Sequence, residues 1–122
     1  LCRRKGDNDR LCSALNNLGL SYRHTANTSK SGLTYEEALA NPAIKKNPGL
    51  EGVVHNNLAM TYLDMGSNDQ ALQHLKAALP LRKAAGDLHG TAETLQNLVD
   101  VCQRSGDSAG AAQYAAQLQQ LH

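Results

Sequence analysis

The chain has no tryptophan, no phenylalanine and only four tyrosines in 122 residues, so it has neither a large aromatic core nor a platform for stacking bases. Its core has to come from Leu, Ala, Val and Met, which suits closely packed helices. No apolar run approaches the ~18–20 residues a membrane-crossing helix requires, so no membrane partner is expected. A formal net charge of +1 gives no electrostatic basis for binding nucleic acid. Cys2, Cys12 and Cys102 are an odd number without a CxxC spacing. They read as thiols in a reducing compartment rather than a disulfide framework, which points to the cytoplasm. The chain begins at Leu1 with neither an initiator Met nor a signal-like segment, and reads as a piece of a longer protein.

Catalytic motifs are missing too. His24, His55, His74, His89 and His122 form no HExxH and no paired ligand spacing, so neither metal nor cofactor is expected. A glycine-rich phosphate loop and a Gly-x-Ser-x-Gly elbow are absent, and Glu36, Glu37, Asp64, Asp69 and Asp100 are scattered over several elements. No enzyme is expected. His55 falls in a helical seam and reads as a hydrogen-bonded core histidine. Cys102 falls in another, where burial works against a reactive thiolate.

What the chain does have is a repeat. Leu15-Asn16-Asn17-Leu18-Gly19-Leu20-Ser21-Tyr22 returns forty residues on as His55-Asn56-Asn57-Leu58-Ala59-Met60-Thr61-Tyr62, and again as Leu95-Gln96-Asn97-Leu98-Val99-Asp100-Val101-Cys102. A fixed period of this length marks an array of supersecondary units. Leu1–Asp7 likewise resembles Leu81–Asp87, so Gly6 and Gly86 both read as helix stops, with Arg3, Arg4 and Lys5 in the last turn of a preceding helix.

Apolar positions at spacings of three and four then predict six helices. The first runs from about Asp9 to His24, with Leu11, Leu15, Leu18, Gly19 and Tyr22 as its seam. Thr25–Gly32 is a polar break. A second helix packs through Ser31, Tyr35, Ala38 and Leu39 in the forty-residue register, or starts only at Tyr35 in a rival one. Pro42 disfavours a straight helix through Asn41, and Asn47-Pro48-Gly49 reads as a stop. The third spans about Leu50–Met65, with Val54, His55, Leu58, Ala59 and Tyr62 inside. The fourth spans about Asp69–Ala85, through Ala71, Leu72, Leu75, Ala78, Leu79 and Arg82, with a bend or break expected at Pro80. Leu88–Gly90 reads as a connector before a fifth helix at about Thr91–Arg104. The sixth runs from about Ala109 to the end, capped by Asp107 or Ser108, and carries Ala111, Ala112, Ala115, Leu118 and Leu121 as its apolar stripe, with no polar capping helix over Leu118 and Leu121.

These motifs resemble the tetratricopeptide repeat family. Its Leu-Gly-x-x-Tyr is matched by Leu18-Gly19…Tyr22, Leu58-Ala59…Tyr62 and, with departures, Leu98-Val99…Cys102. Its second-helix pattern is matched by Ser31…Tyr35…Ala38, Ala71…Leu75…Ala78 and Ala111…Ala115…Leu118. The resemblance implies an all-α solenoid of about three antiparallel helix pairs in a right-handed superhelix. It is one repeat domain over 1–122, with units at about 8–47, 48–87 and 88–122. The forty-residue spacing with paired asparagines resembles the kinesin light chain and LGN-type subgroup, which are peptide-binding adaptors. In these, asparagines on the concave face hold the backbone of a bound segment. Carried over, this gives Asn16, Asn17, Asn56, Asn57 and Asn97, with Gln96 as a departure. Around them the concave face is expected to hold Leu20, Arg23 and His24, then Met60, Leu63 and Asp64, then Asp100, Gln103 and Arg104.

A carboxamide offers both donors and an acceptor, so a row of amides can hold an extended peptide whatever its side chains. The same amides can instead be solvated or cap neighbouring turns, and Leu20, Met60 and Leu63 can pack on the adjoining repeat. The lysines and arginines that would grip a C-terminal carboxylate are missing from this face. The implied function is a non-catalytic interaction module with a protein or peptide partner. The alternatives are a structural spacer, a self-association surface through the C-terminal helix, or an effector-sensing region.

Overall fold

The computed structural model describes the backbone of residues 5–121 and the side chains of residues 10–121. Cys2, Arg3, Arg4 and His122 lie outside the described residues. Six α-helices follow one another: α1 (Lys5–His24), α2 (Thr28–Ala40), α3 (Pro48–Asp64), α4 (Asn68–Ala84), α5 (Leu88–Arg104) and α6 (Ser108–Gln120), with a 3-10 turn at Pro42–Lys46 before α3. No strand occurs among the described residues. Each helix packs against its chain neighbours, so α2 sits between α1 and α3, and α4 between α3 and α5. The result is an all-α solenoid of antiparallel helix pairs.

Local chemistry sets the helix ends. Gly66, Gly86 and Gly106 close α3, α4 and α5 with φ of +80°, +72° and +79°, where a Cβ is disfavoured. Ala26 holds the corresponding place after α1 at φ +62°, the one non-glycine of the set. Asp87 and Asp107 start α5 and α6 by accepting from the Gly90 and Gly110 backbone N–H groups at 2.8 and 2.9 Å. Asn47 does the same for α3 through the Leu50 N–H at 3.1 Å.

Several expected boundaries move. Lys5, Gly6 and Asp7 lie within α1, so Gly6 does not act as a helix stop. Pro48 and Gly49 likewise start α3, with Pro48 in the first turn where its missing N–H is no loss. Leu88–Gly90 is the first turn of α5, not a connector. Pro42 does end α2, and the forty-residue register holds there, with Ser31, Tyr35 and Ala38 buried. Pro80 does not break α4. It lies on the exposed side, where the carbonyl it leaves unpaired can be hydrated.

Each of the two larger core clusters joins one helix pair to the first helix of the next. Cys12, Leu15, Tyr35, Ala38 and Ile44 meet Val54 and Leu58 of α3. Ala59, Ala71, Leu75 and Leu79 meet Leu95, Leu98 and Val101 of α5. Val99, Cys102 and Ala111 form a smaller third cluster against which Ala115 packs. Ile44 shows that the 3-10 turn supplies core as well as connection. Two seam expectations fail. Leu18 is 44% exposed although Leu58 and Leu98 are fully buried, and Ala112 is exposed. Leu18 points away from its own pair, to the side that α2 covers for Leu58 and α4 for Leu98.

Inside each pair, bulk is traded between facing positions. A Cβ on Gly19 would lie 2.5 Å from the Tyr35 ring. The positions forty residues on are Ala59 and Leu75, then Val99 and Ala115, so the first helix gains volume as the second loses it. Gly19→Ala is therefore expected to destabilise the fold by ~1–3 kcal/mol, the usual scale of overpacking. Adding Tyr35→Leu, which recreates the middle pair, should recover part of that loss beyond additivity in a thermal double-mutant cycle. The two strands of that cycle summing without coupling would reject the pairing. Leu58→Ala is expected to cost ~2–5 kcal/mol and Leu18→Ala under ~0.5 kcal/mol, despite their shared register. Equal shifts in melting temperature would contradict the difference in burial.

Candidate functional site

Helices α1, α3 and α5 lie side by side and carry the two asparagine columns. Asn57 Nδ2 donates to Asn16 Oδ1 at 2.9 Å, and Asn97 Nδ2 donates to Asn56 Oδ1 at 3.0 Å. Each bond spans 41 residues, one repeat plus one position. The second asparagine of one repeat thus reaches back to the first asparagine of the repeat before it. This separates two sets that look alike in sequence. Asn16 and Asn56 are 8% and 3% exposed and serve as acceptors inside the junctions. Asn57 and Asn97 are half-buried and Asn17 is exposed. An amide with one N–H engaged keeps its other N–H and its carbonyl for a further partner.

The remaining candidates frame this column. Arg23 Nε donates to Asp64 Oδ2 at 2.7 Å, tying α1 to α3 by an ion pair, and Gln96 Nε2 donates to Asp100 Oδ1 at 3.1 Å. Leu20 and Leu63 are half-buried and pack on the first and second cores, so they serve the junctions as well as the face. Met60 is half-buried, and His24, Gln103 and Arg104 are exposed. Arg23 and Arg104 balance Asp64 and Asp100, which leaves the face without a dominant sign.

The sequence did not reveal the charged strut beside the ladder. Arg82 of α4 is 6% exposed, and its Nη1 donates to Glu93 Oε1 at 2.9 Å and Thr94 Oγ1 at 3.0 Å of α5. Asn56 joins the same network, donating to Glu93 at 3.3 Å and accepting from Thr94 at 3.2 Å. The available signal was an arginine at an apolar seam position, where a buried cation requires partners.

A second polar cluster crosses α2, α3 and α4. His55 and His74 share an Nδ1···Nδ1 hydrogen bond of 2.9 Å, one ring donating and the other accepting. Tyr62 stacks on His74 with centroids 5.5 Å apart, and its hydroxyl donates to Glu36 Oε1 at 2.6 Å. Burial, reinforced by His74, pushes His55 down to about 4, and burial lowers His74 as well. Burial and the Glu36 carboxylate raise Tyr62 to about 12. Among the described residues no group of three or more His, Cys, Asp or Glu converges in a way that could hold a metal ion. No helix there is long and apolar enough to cross a membrane. Burial, then Asp107, raises the Cys102 thiol, which disfavours its thiolate.

Comparison with known protein families matches residues 50–121 to the tetratricopeptide repeat. None of the curated proteins compared with the chain matches it. Among solved structures, the TPR domain of Arabidopsis FLU is similar in fold, with a TM-score of 0.81 at 17% identity over 91% of this chain and 93% of that one.

The histidine pair predicts an acid response. Both folded-state values lie below the ordinary 6.5, so the unfolded chain takes up these protons first as pH falls. The pair's stabilisation is complete above about pH 6.5 and drains away between there and about pH 4. The carboxylates Glu36 and Glu51 near these rings favour protonation and narrow that window, while Lys45 opposes it for His55. The melting temperature should therefore drop from pH 7 to pH 5, and drop less in His55→Gln/His74→Gln. Parallel curves for parent and variant would show that the pair does not govern the acid limb.

Proposed function

Because the chain belongs to the tetratricopeptide repeat family, we propose that it is a non-catalytic protein–protein interaction module that holds a peptide segment of a partner on its concave α1–α3–α5 face. One observation carries this reading: Asn17, Asn57 and Asn97 stand at one register on the first helices of three successive repeats, and the last two are pre-oriented by bonds to Asn16 and Asn56. Carboxamides fixed before binding lose little side-chain entropy when they meet a peptide backbone. The forty-residue period with paired asparagines supports placing the chain with the kinesin light chain and LGN-type adaptors. In this proposal Asn16 and Asn56 support the face rather than touch the partner. Leu20, Met60 and Leu63 offer apolar contact between the amides. Arg23, Asp64, Gln96, Asp100 and Arg104 form a rim of mixed charge that suits a peptide without a strong net charge. The buried thiols of Cys12 and Cys102 suit a reducing compartment, and a cytoplasmic location is part of the proposal.

The Leu118 and Leu121 side chains pack against the second core. Both stay half-buried, and self-association through the C-terminal helix and the rigid-spacer reading stand as the alternatives.

A pull-down from lysate with the parent chain and with Asn17→Ala/Asn57→Ala/Asn97→Ala, matched for folding by circular dichroism, tests the groove. A partner kept by the parent and lost by the variant is expected. Equal retention would move binding off this face, and no partner at all would favour the spacer. Asn56→Ala serves as a control. It should lower stability by ~1–3 kcal/mol, because Thr94 and Asn97 lose their acceptor, and weaken capture of the partner without abolishing it, because Asn97 loses its pre-orientation.

A further inference from the structure

One contact inside the middle repeat departs from its counterparts. His55 of α3 and His74 of α4 approach each other through their Nδ1 atoms at 2.9 Å. Forty residues back the same two positions hold Leu15 and Thr34, and forty residues on they hold Leu95 and Tyr114. Leu15 and Leu95 are buried, so the packing of a repeat is met at this place by an apolar side chain and does not call for imidazole. Both rings are half-buried, in helices with another repeat on either side. Neither the asparagine face nor the Arg82 strut uses them.

We propose that His55 and His74 form a chelating site for a divalent transition-metal ion of tetragonal preference, Cu(II) above all. An imidazole nitrogen binds such an ion at about 2.0–2.1 Å, so two nitrogens at right angles around it stand about 2.8–3.0 Å apart. The 2.9 Å between the two Nδ1 atoms is that bite. A tetrahedral ion such as Zn(II) needs about 3.3–3.4 Å and fits less well. Cu(II) also heads the affinity order of the divalent ions that imidazole suits. Coordination replaces the hydrogen bond between the rings. The donating ring moves its proton from Nδ1 to Nε2, the accepting ring already carries its own on Nε2, and no net proton is released. The surroundings favour a cation, because the Glu51 carboxylate acts on His55 and the Glu36 carboxylate on His74, while Lys45, paired with Glu51, offsets one of these charges. Tyr62, stacked on His74 and bonded to Glu36, fixes that ring's orientation. Two protein ligands are fewer than a permanent centre takes, so water fills the remaining positions and the ion exchanges.

Titration of the untagged chain with Cu(II), Ni(II) and Zn(II) tests the site, read by melting temperature and, for Cu(II), by electron paramagnetic resonance. Three variants accompany the parent. His55→Leu/His74→Tyr copies the Leu95 and Tyr114 pair of the next repeat, so it should fold without the ligands. His74→Gln removes one ligand and keeps a hydrogen-bonding side chain. His24→Gln/His89→Gln removes two exposed histidines elsewhere on the molecule. The parent is expected to show a tetragonal Cu(II) spectrum split by two imidazole nitrogens. Its melting temperature should rise by about 4–7 °C where free Cu(II) stands tenfold above its dissociation constant, less with Ni(II) and least with Zn(II). His24→Gln/His89→Gln should match the parent, and the other two variants should lose both the shift and the two-nitrogen spectrum. A parent with neither signal would overturn the proposal, as would both signals persisting in His55→Leu/His74→Tyr or in His74→Gln. Stronger stabilisation by Zn(II) than by Cu(II) would overturn the tetragonal assignment.

Discussion

No helix pair in this chain can bury its own apolar seam. The first helix of every following repeat completes the core of the pair before it. Val54 and Leu58 close the pocket of Tyr35 and Ala38, and Leu95, Leu98 and Val101 close that of Leu75 and Leu79. Stability in such an array is a sum of repeat and junction terms, with the junctions supplying what single repeats lack. The amide bonds, the Arg23–Asp64 pair and the Arg82 strut all lie at junctions because registry between neighbouring repeats has to be fixed there. Leucine and alanine contacts are non-directional and tolerate slippage along the helix axis. A hydrogen bond between Asn57 and Asn16 does not.

The same requirement links structure to the proposed binding face. An asparagine already engaged across a junction is held in one orientation, and it keeps an N–H and a carbonyl that this bond does not use. The array thus presents regularly spaced amides as a consequence of how it is held together. In the proposed complex a partner peptide would meet groups whose ordering was achieved in folding. The histidine pair, with Tyr62 and Glu36, is a separate device that bridges the two helix layers. It joins α2, α3 and α4 through neutral rings, and its sensitivity to acid follows from burial.

The helix count, the turns and most of the core were legible from spacing. Glycine at 66, 86 and 106, aspartate before α5 and α6, and apolar residues three and four apart have local physical causes that act within a dozen residues. Prolines were less legible. Pro42 ends a helix and Pro80 does not, and the difference lies in which side of the helix meets water. The trade of Gly19 and Tyr35 against Val99 and Ala115 was visible as residue types, but its meaning required knowing that those positions face each other.

The sequence alone determined that the chain is a forty-residue helical repeat, because periodicity dictates which side of each helix is apolar and turn chemistry dictates where it stops. Only the tertiary structure decided what became of residues that share a register. Leu18 and Leu58 have the same place in their helices, yet one is 44% exposed and the other fully buried. Asn56 and Asn57 are adjacent, yet one is sealed in a junction and the other is only half-buried. Burial at these positions comes from the neighbouring repeat, and a helix's own periodicity carries no record of which neighbour it will meet.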